Sequence, residues 1–222
     1  LNNKPPVYVY QSGYNVCHNV IDRSKMEALE GHMTTKDTAR LPIALDGEQG
    51  KIRIYPILSE HNPHIKYIKF FSGSKTHPVD DFKKPYQKTR ANDWLEGNTF
   101  SFLIDYLDES GAIDFRIFIQ SSSCNPTAGI PPLELLRDKQ VDLAFLGVAS
   151  YHFSPDYPCT LLSALAAGSS ESKAPKVVWI HWEDFFRKYT RKPKTVRATD
   201  VVNFFEIPCV RPYKTDALLP WP

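Results

Sequence analysis

The stretch VDLAFLGVA, residues 141–149, is a nearly continuous apolar run that decides the class of fold. A run of this kind predicts a β-strand covered on both faces, as in parallel sheets with helices outside. Before it, PPLELLRDK, residues 131–139, predicts a short helix that begins after the prolines. We expect this helix to turn three leucines toward the core: Leu133, Leu135 and Leu136.

The same unit repeats further along the chain. Residues 158–167 are rich in Ala and Leu and predict a second helix, and KVVWI, residues 176–180, predicts a second buried strand. Upstream, residues 98–106 and 115–120 flank a DESG turn and predict a β-hairpin, while residues 51–58 alternate like a strand. The order of hairpin, strand, helix, strand, helix and strand predicts an α/β fold of mixed sheets with helices outside.

The remaining segments carry weaker patterns. Residues 7–10 predict a strand, and residues 17–29 predict a helix. Residues 72–98 show neither a helical nor a strand period, which predicts a loop or an insertion. We expect residues 1–222 to form a single domain.

The composition excludes several classes of protein. The chain has 222 residues, of which 42% are hydrophobic and 23% charged, so it can bury a core and is neither disordered nor a disulfide miniprotein. Its net charge of +2 argues against bulk nucleic-acid binding. No stretch approaches the roughly 20 apolar residues of a membrane span, and no signal-peptide pattern is visible, which predicts a soluble chain without naming its compartment.

The four cysteines are widely spaced and form no CxxC pair: Cys17, Cys124, Cys159 and Cys209. This spacing does not fit a zinc knuckle or a thioredoxin-like site. Buried free thiols are the favoured interpretation, and two disulfide bridges are the alternative in an oxidising compartment.

Histidines follow three of the predicted strands: His61 with His64, His152, and His181. Strand ends of layered α/β folds meet at one edge, so histidines distant in sequence can come together there. Imidazole at such an edge suits zinc, iron or manganese. The alternative is that each histidine is simply a polar residue where a loop begins.

The sequence around these histidines resembles the metallo-β-lactamase-fold hydrolases. WIHWEDF, residues 179–185, looks like the last metal-ligand motif of that family, and IYPILSEHNPH, residues 54–64, resembles its middle histidine motif. Residues 98–120 and 141–148 resemble the hairpin and strand that lie between these two motifs. Residues 201–210 resemble the closing strand of the family, which Pro208 limits to an edge of the sheet. The resemblance covers residues 51–187 and implies an αββα sandwich with mixed sheets.

The resemblance implies a metal-dependent hydrolase. His61 and His181 match metal ligands, with His64 as the alternative to His61, and Asp184 is either an outer residue that orients a histidine or a helix cap. Zinc is the expected metal, with manganese or iron as alternatives. The implied chemistry is a metal-activated water attacking an ester, amide, lactone or phosphodiester of a small-molecule substrate. Four residues are candidates for the substrate cleft: Ser122, Tyr151, His152 and Trp182.

The chain departs from the family pattern at two places. The His-x-His-x-Asp-His signature is absent, and the resemblance puts it just before Leu1, so we expect the N-terminal part of the sandwich to be missing from this sequence. Where the family has a metal-bridging Asp, this chain has QSSS, residues 120–123, with Cys124 as a weak thiolate candidate. The chain alone should therefore bind metal weakly. The rival interpretation is a binding or scaffold protein that kept the fold and lost catalysis.

Overall fold

Residues 143–147 of the long apolar run form a strand in the interior of a seven-stranded sheet. The predicted α/β class is confirmed. The computed structural model describes residues 7–9, 24, 26–28, 43–47, 50–63, 68–73, 95–122, 125, 127–148, 154, 156–167, 175–181, 199 and 217–218. Within these residues, no helix is long and apolar enough to cross a membrane.

The strands and helices of the described residues have the following bounds. The strands are β1 Val7–Val9, β2 Met26–Ala28, β3 Ile43–Gly47, β4 Gly50–Ser59, β5 Thr99–Leu107, β6 Ile113–Gln120, β7 Leu143–Gly147, β8 Lys176–Ile180 and β9 Ala217–Leu218. The helices are α1 Leu133–Asp138 and α2 Tyr157–Ala167. Strands β1 and β2 pair in parallel as a separate ribbon, and the large sheet has the order β3-β4-β5-β6-β7-β8-β9.

The directions of the strands bring the carboxyl ends of five strands to one edge. Neighbours from β3 to β6 are antiparallel, and neighbours from β6 to β9 are parallel. Strands β4, β6, β7, β8 and β9 therefore run in the same direction, and they end at Ser59, Gln120, Gly147, Ile180 and Leu218. We call this side of the sheet the carboxyl edge.

One face of the sheet packs against both helices. Alternating residues of the strands are fully buried there, among them Leu103, Phe118, Ala144, Leu146 and Trp179. They form one cluster with Leu136 of α1 and with Leu161, Leu162 and Leu165 of α2. Burying each such side chain contributes about 1.5–3 kcal/mol, so this cluster is the main source of stability in the described residues.

The opposite face of the sheet is apolar as well, but it is less covered. Ile52, Tyr106 and Phe115 lie in one cross-strand row through the pairs Ile52↔Tyr106 and Tyr106↔Phe115, and all three are exposed. Strand β7 thus has Ala144 and Leu146 fully buried on the helix side and Phe145 half-buried on the other.

A buried charged pair joins the strands to α1. Arg116 of β6 donates from Nε to Asp105 Oδ1 at 2.5 Å and from Nη2 to Asp105 Oδ2 at 2.9 Å. Its Nη1 donates to the carbonyls of Leu135 and Lys139 at the end of α1. Arg53 also reaches Asp105 Oδ2, at 3.3 Å. Both members of the pair are buried, and these bonds satisfy them.

Most predicted elements are confirmed, and three expectations are wrong. Residues 26–28, predicted as helix, form β2, and Leu133 is exposed at the start of α1 instead of facing the core. Cys159 is disulfide-bonded and not a free thiol. The rest of the predicted helix at 17–29, the predicted strand at 201–210 and the other three cysteines lie outside the described residues. In the predicted loop at 72–98, the described residues have no helix or strand.

Candidate active site

The carboxyl edge holds both histidines that the sequence predicts as ligands. His61 lies two residues beyond the end of β4, and His181 directly follows β8. The expectation that these strand ends share an edge is confirmed by the strand directions. Three strands separate β4 from β8, which amounts to about 19 Å between their axes at roughly 4.8 Å per strand. For both histidines to bind one ion, the loops after the strands must lean toward the middle of the sheet.

The loop after β4 leans in this way. The backbone N–H of Asn62 donates to Ser122 Oγ at 2.9 Å, which carries the loop across the start of β5 to the end of β6. Ser154, just before α2, donates from its hydroxyl to Asn62 Oδ1 at 3.3 Å. The three residues are buried, so they form a fixed support for His61. Ser122, predicted as a cleft residue, has its hydroxyl on the Asn62 backbone.

The Nδ1 nitrogen of the His61 ring lies next to two polar groups. Its Nδ1 lies 2.8 Å from the carbonyl oxygen of Asn62, and because a carbonyl can only accept, Nδ1 carries the proton. In the neutral ring, Nε2 then has the lone pair, which is the form that binds a metal or takes up a proton. Glu96 Oε1 lies 2.9 Å from the same Nδ1. The hydrogen bond points to Asn62, so Glu96 acts on the ring as a neighbouring negative charge.

Glu96 comes from the segment that leads into β5. The pair Ser59↔Thr99 places the start of β5 beside the end of β4, and this brings Glu96 next to His61. The sequence pattern does not indicate Glu96, because this residue lies in a stretch without a regular period. The antiparallel register of β4 and β5 is the signal that would have found it.

Gln120, the last residue of β6, lies among buried polar groups. Gln120 is fully buried, its side-chain Nε2 donates to Ser59 Oγ at 2.5 Å, and its backbone carbonyl accepts from the Tyr157 hydroxyl at 3.4 Å. Gly129 packs against this pair with φ +70, and a Cβ there would lie 2.5 Å from Ser59 Oγ. Gln120 therefore serves packing at the end of β6.

The chain beyond β6 passes close to β7. A Cβ at Gly147 would collide with the backbone carbonyl of Ser121, so only glycine allows this approach. The contact fixes the Ser121–Ser122 segment, and with it the support of His61.

His181 has an unusual backbone. Its φ is +63, in the left-handed region, where a residue with a Cβ costs about 1–2 kcal/mol. The strand before it is in regular register, since Gly147 pairs with Ile180 and Val148 N donates to Ile180 O at 2.9 Å. A strained residue at the end of a regular strand is typical of functional positions.

The described residues contain no group of three or more His, Cys, Asp or Glu side chains arranged to hold a metal ion. Five of the predicted site residues lie outside the described residues, so their roles stay predictions: His64, Tyr151, His152, Trp182 and Asp184. Comparisons of the chain with protein-family models, with curated proteins and with solved structures gave no match.

Proposed function

We propose that the chain belongs to a metallo-β-lactamase-type αββα sandwich and that its carboxyl edge serves metal-dependent hydrolysis. His61 and His181 are the two ligands that the described residues supply. A catalytic zinc site needs three protein ligands and a water, so the others come from outside these residues. Zinc, when bound, would polarise a carbonyl or phosphoryl group and supply a water acidic enough to react near neutral pH.

The observation that carries the proposal is the way His61 is held. Metal-binding histidines commonly donate their second ring N–H to a carbonyl or carboxylate, which fixes the tautomer and raises the basicity of the other nitrogen. His61 has a carbonyl at 2.8 Å and a carboxylate at 2.9 Å from Nδ1. The strained backbone of His181 at the same edge supports the pairing of these two residues.

The test is a zinc and manganese titration of the purified chain, followed by calorimetry and by elemental analysis after gel filtration. We expect weak but stoichiometric zinc binding that is lost in His61→Ala and in His181→Ala. His32→Ala is the matched control because His32 lies in a polar stretch of the sequence and belongs to neither of the two histidine motifs. Zinc binding that both site variants retain, or no zinc binding by any variant, would contradict the proposal.

A second candidate is a binding or scaffold protein with the same fold. It is favoured by the buried amide of Gln120, which stands where the family has a bridging carboxylate. Under this alternative, zinc does not bind, and His61→Ala changes neither metal content nor any hydrolytic activity.

A further inference from the structure

Beside His61 lies a short segment, residues 68–73, whose apolar side chains face solvent. Ile68 is 55% exposed, Phe70 43% and Phe71 49%, and the two rings lie near each other with centroids 6.5 Å apart. Three large apolar side chains exposed within four residues are unusual in a chain of ordinary composition. Such a patch commonly marks a binding surface.

This apolar segment is bonded to two parts of the chain near His61: residues 96–97 and Glu60. The carbonyl of Phe71 accepts from Glu96 N at 2.7 Å, and the carbonyl of Gly73 accepts from Gly97 N at 2.9 Å. Lys69 forms an ion pair at 3.0 Å with Glu60, the residue before His61. Since Glu96 is itself 2.9 Å from the His61 ring, the segment is continuous with the candidate site.

The backbone of the segment is strained at Phe71. Phe71 has φ +56, a left-handed conformation that bulky residues rarely adopt. Phe71 and His181 are the two non-glycine residues with positive φ among the described residues. The two backbone hydrogen bonds to the segment before β5 hold Phe71 in this conformation, which is the pattern expected where a side chain is placed for function.

The charges near His61 favour a neutral ligand. Glu96 lies 2.9 Å from His61, and Glu60, the residue before His61 in the chain, is the carboxylate that pairs with Lys69. A second anion, such as a phosphodiester, would meet the uncompensated Glu96 carboxylate.

We propose that Ile68, Phe70 and Phe71 bind the apolar part of a neutral substrate whose reacting carbonyl lies at His61. The substrate class is then an ester, amide or lactone with an alkyl or aryl group. This inference rests on the proposed function for the reaction but not for the binding.

The first test measures binding without hydrolysis. The probes are 2-hexanone, 2-octanone and 2-decanone, neutral carbonyl compounds that have no bond to hydrolyse, titrated into the full chain by calorimetry. We expect affinity to rise about two- to fourfold for each added methylene. In Phe70→Ser/Phe71→Ser this dependence on chain length should disappear.

The matched control is Phe115→Ser. Phe115 is 41% exposed, similar to Phe70 and Phe71, but it lies five residues before the end of β6, about 17 Å from the carboxyl edge. The control should bind all three ketones as the unchanged chain does. Equal losses in both variants, or an affinity independent of chain length, would overturn the inference.

A second test separates this inference from the proposed function. The rate of hydrolysis of p-nitrophenyl butanoate, hexanoate and octanoate is compared in the zinc-loaded chain and in Phe70→Ser/Phe71→Ser. Ketone binding that depends on the two phenylalanines, without any hydrolysis, would sink the function and leave the inference. Hydrolysis with the same kcat/KM for all three esters would overturn the inference and leave the proposed function. Self-association that the double variant abolishes would instead make a second copy of the chain the occupant, and would also overturn the inference.

Discussion

The helix-covered face of the sheet and its carboxyl edge differ in packing and in backbone strain. On the helix-covered face, apolar side chains alternate regularly, and the buried Arg116–Asp105 pair has its bonds satisfied. At the edge and in the segment fastened to it, the described residues show their two strained non-glycine conformations, Phe71 and His181. The difference teaches that the main apolar core of the described residues lies on the helix-covered face, whereas the strained backbone lies at the edge and in the segment bonded to it.

The largest expected effect lies on the stable side of this comparison. Arg116→Met removes the two closest bonds of the buried Asp105, leaves it the longer contact with Arg53 at 3.3 Å, and frees the carbonyls at the end of α1. We expect a loss of up to about 3–5 kcal/mol in the free energy of unfolding. Urea denaturation measures this loss. Arg137→Met, which changes an exposed arginine of the same helix, should cost less than about 0.5 kcal/mol. Similar losses in the two variants would show that the pair is not what stabilises this face.

The next effect lies at the edge and concerns metal affinity. Glu96→Gln keeps the shape of the side chain but removes the charge beside His61 Nδ1, so we expect zinc affinity to fall about 10- to 100-fold. Calorimetry measures this change, with unfolding experiments to show that stability is kept. Glu60→Gln, which alters an exposed carboxylate paired with Lys69, is the control and should change zinc affinity little. If Glu60→Gln weakened zinc as much as Glu96→Gln, the orienting role of Glu96 would be wrong.

Removing the backbone strain at His181 should raise the free energy of unfolding while zinc binding is lost. Glycine adopts the left-handed region without the Cβ penalty, so His181→Gly should raise the free energy of unfolding by about 1 kcal/mol and abolish zinc binding. His181→Ala also loses the ring but keeps the strain, so it should give no such gain. A His181→Gly variant less stable than His181→Ala would contradict the account of strain.

The smallest effect is a dependence of stability on pH. Burial raises the pKa of Tyr55, which lies on the helix-covered face near Arg53 and Asp105. The folded state therefore keeps the phenol proton at a pH where the unfolded chain, with a pKa of 10.0, releases it. This contribution is fully present below pH 10 and is lost as the pH rises through the folded pKa.

Unfolding measured between pH 9 and 11 should thus show a smaller decline in Tyr55→Phe than in the unchanged chain. Equal declines would mean that Tyr55 does not contribute to the alkaline loss of stability.

The sequence predicts the elements whose pattern is long and regular. Strands β4 to β8 and both helices carry clear periods, and the parallel directions then place His61 and His181 at one edge. Strand β2 was missed because three residues are too few for a pattern to develop. The exposure of Leu133 depends on how a six-residue helix sits on the sheet, which its period does not fix.

The missed features of the site depend on contacts between distant residues. Glu96 reaches His61 only through the register of β4 and β5, and a phenylalanine at position 71 gives no sign of a positive φ. The disulfide of Cys159 is likewise invisible in the spacing of the cysteines.

The most direct test of the central claim is X-ray absorption at the zinc edge of the zinc-loaded chain and of its His61→Ala and His181→Ala variants. The account predicts at least two imidazole nitrogens at about 2.0–2.1 Å from zinc in the unchanged chain, and loss of this signal in each variant because neither variant retains zinc. A spectrum that neither substitution changes would contradict the claim that these two histidines form a metal site.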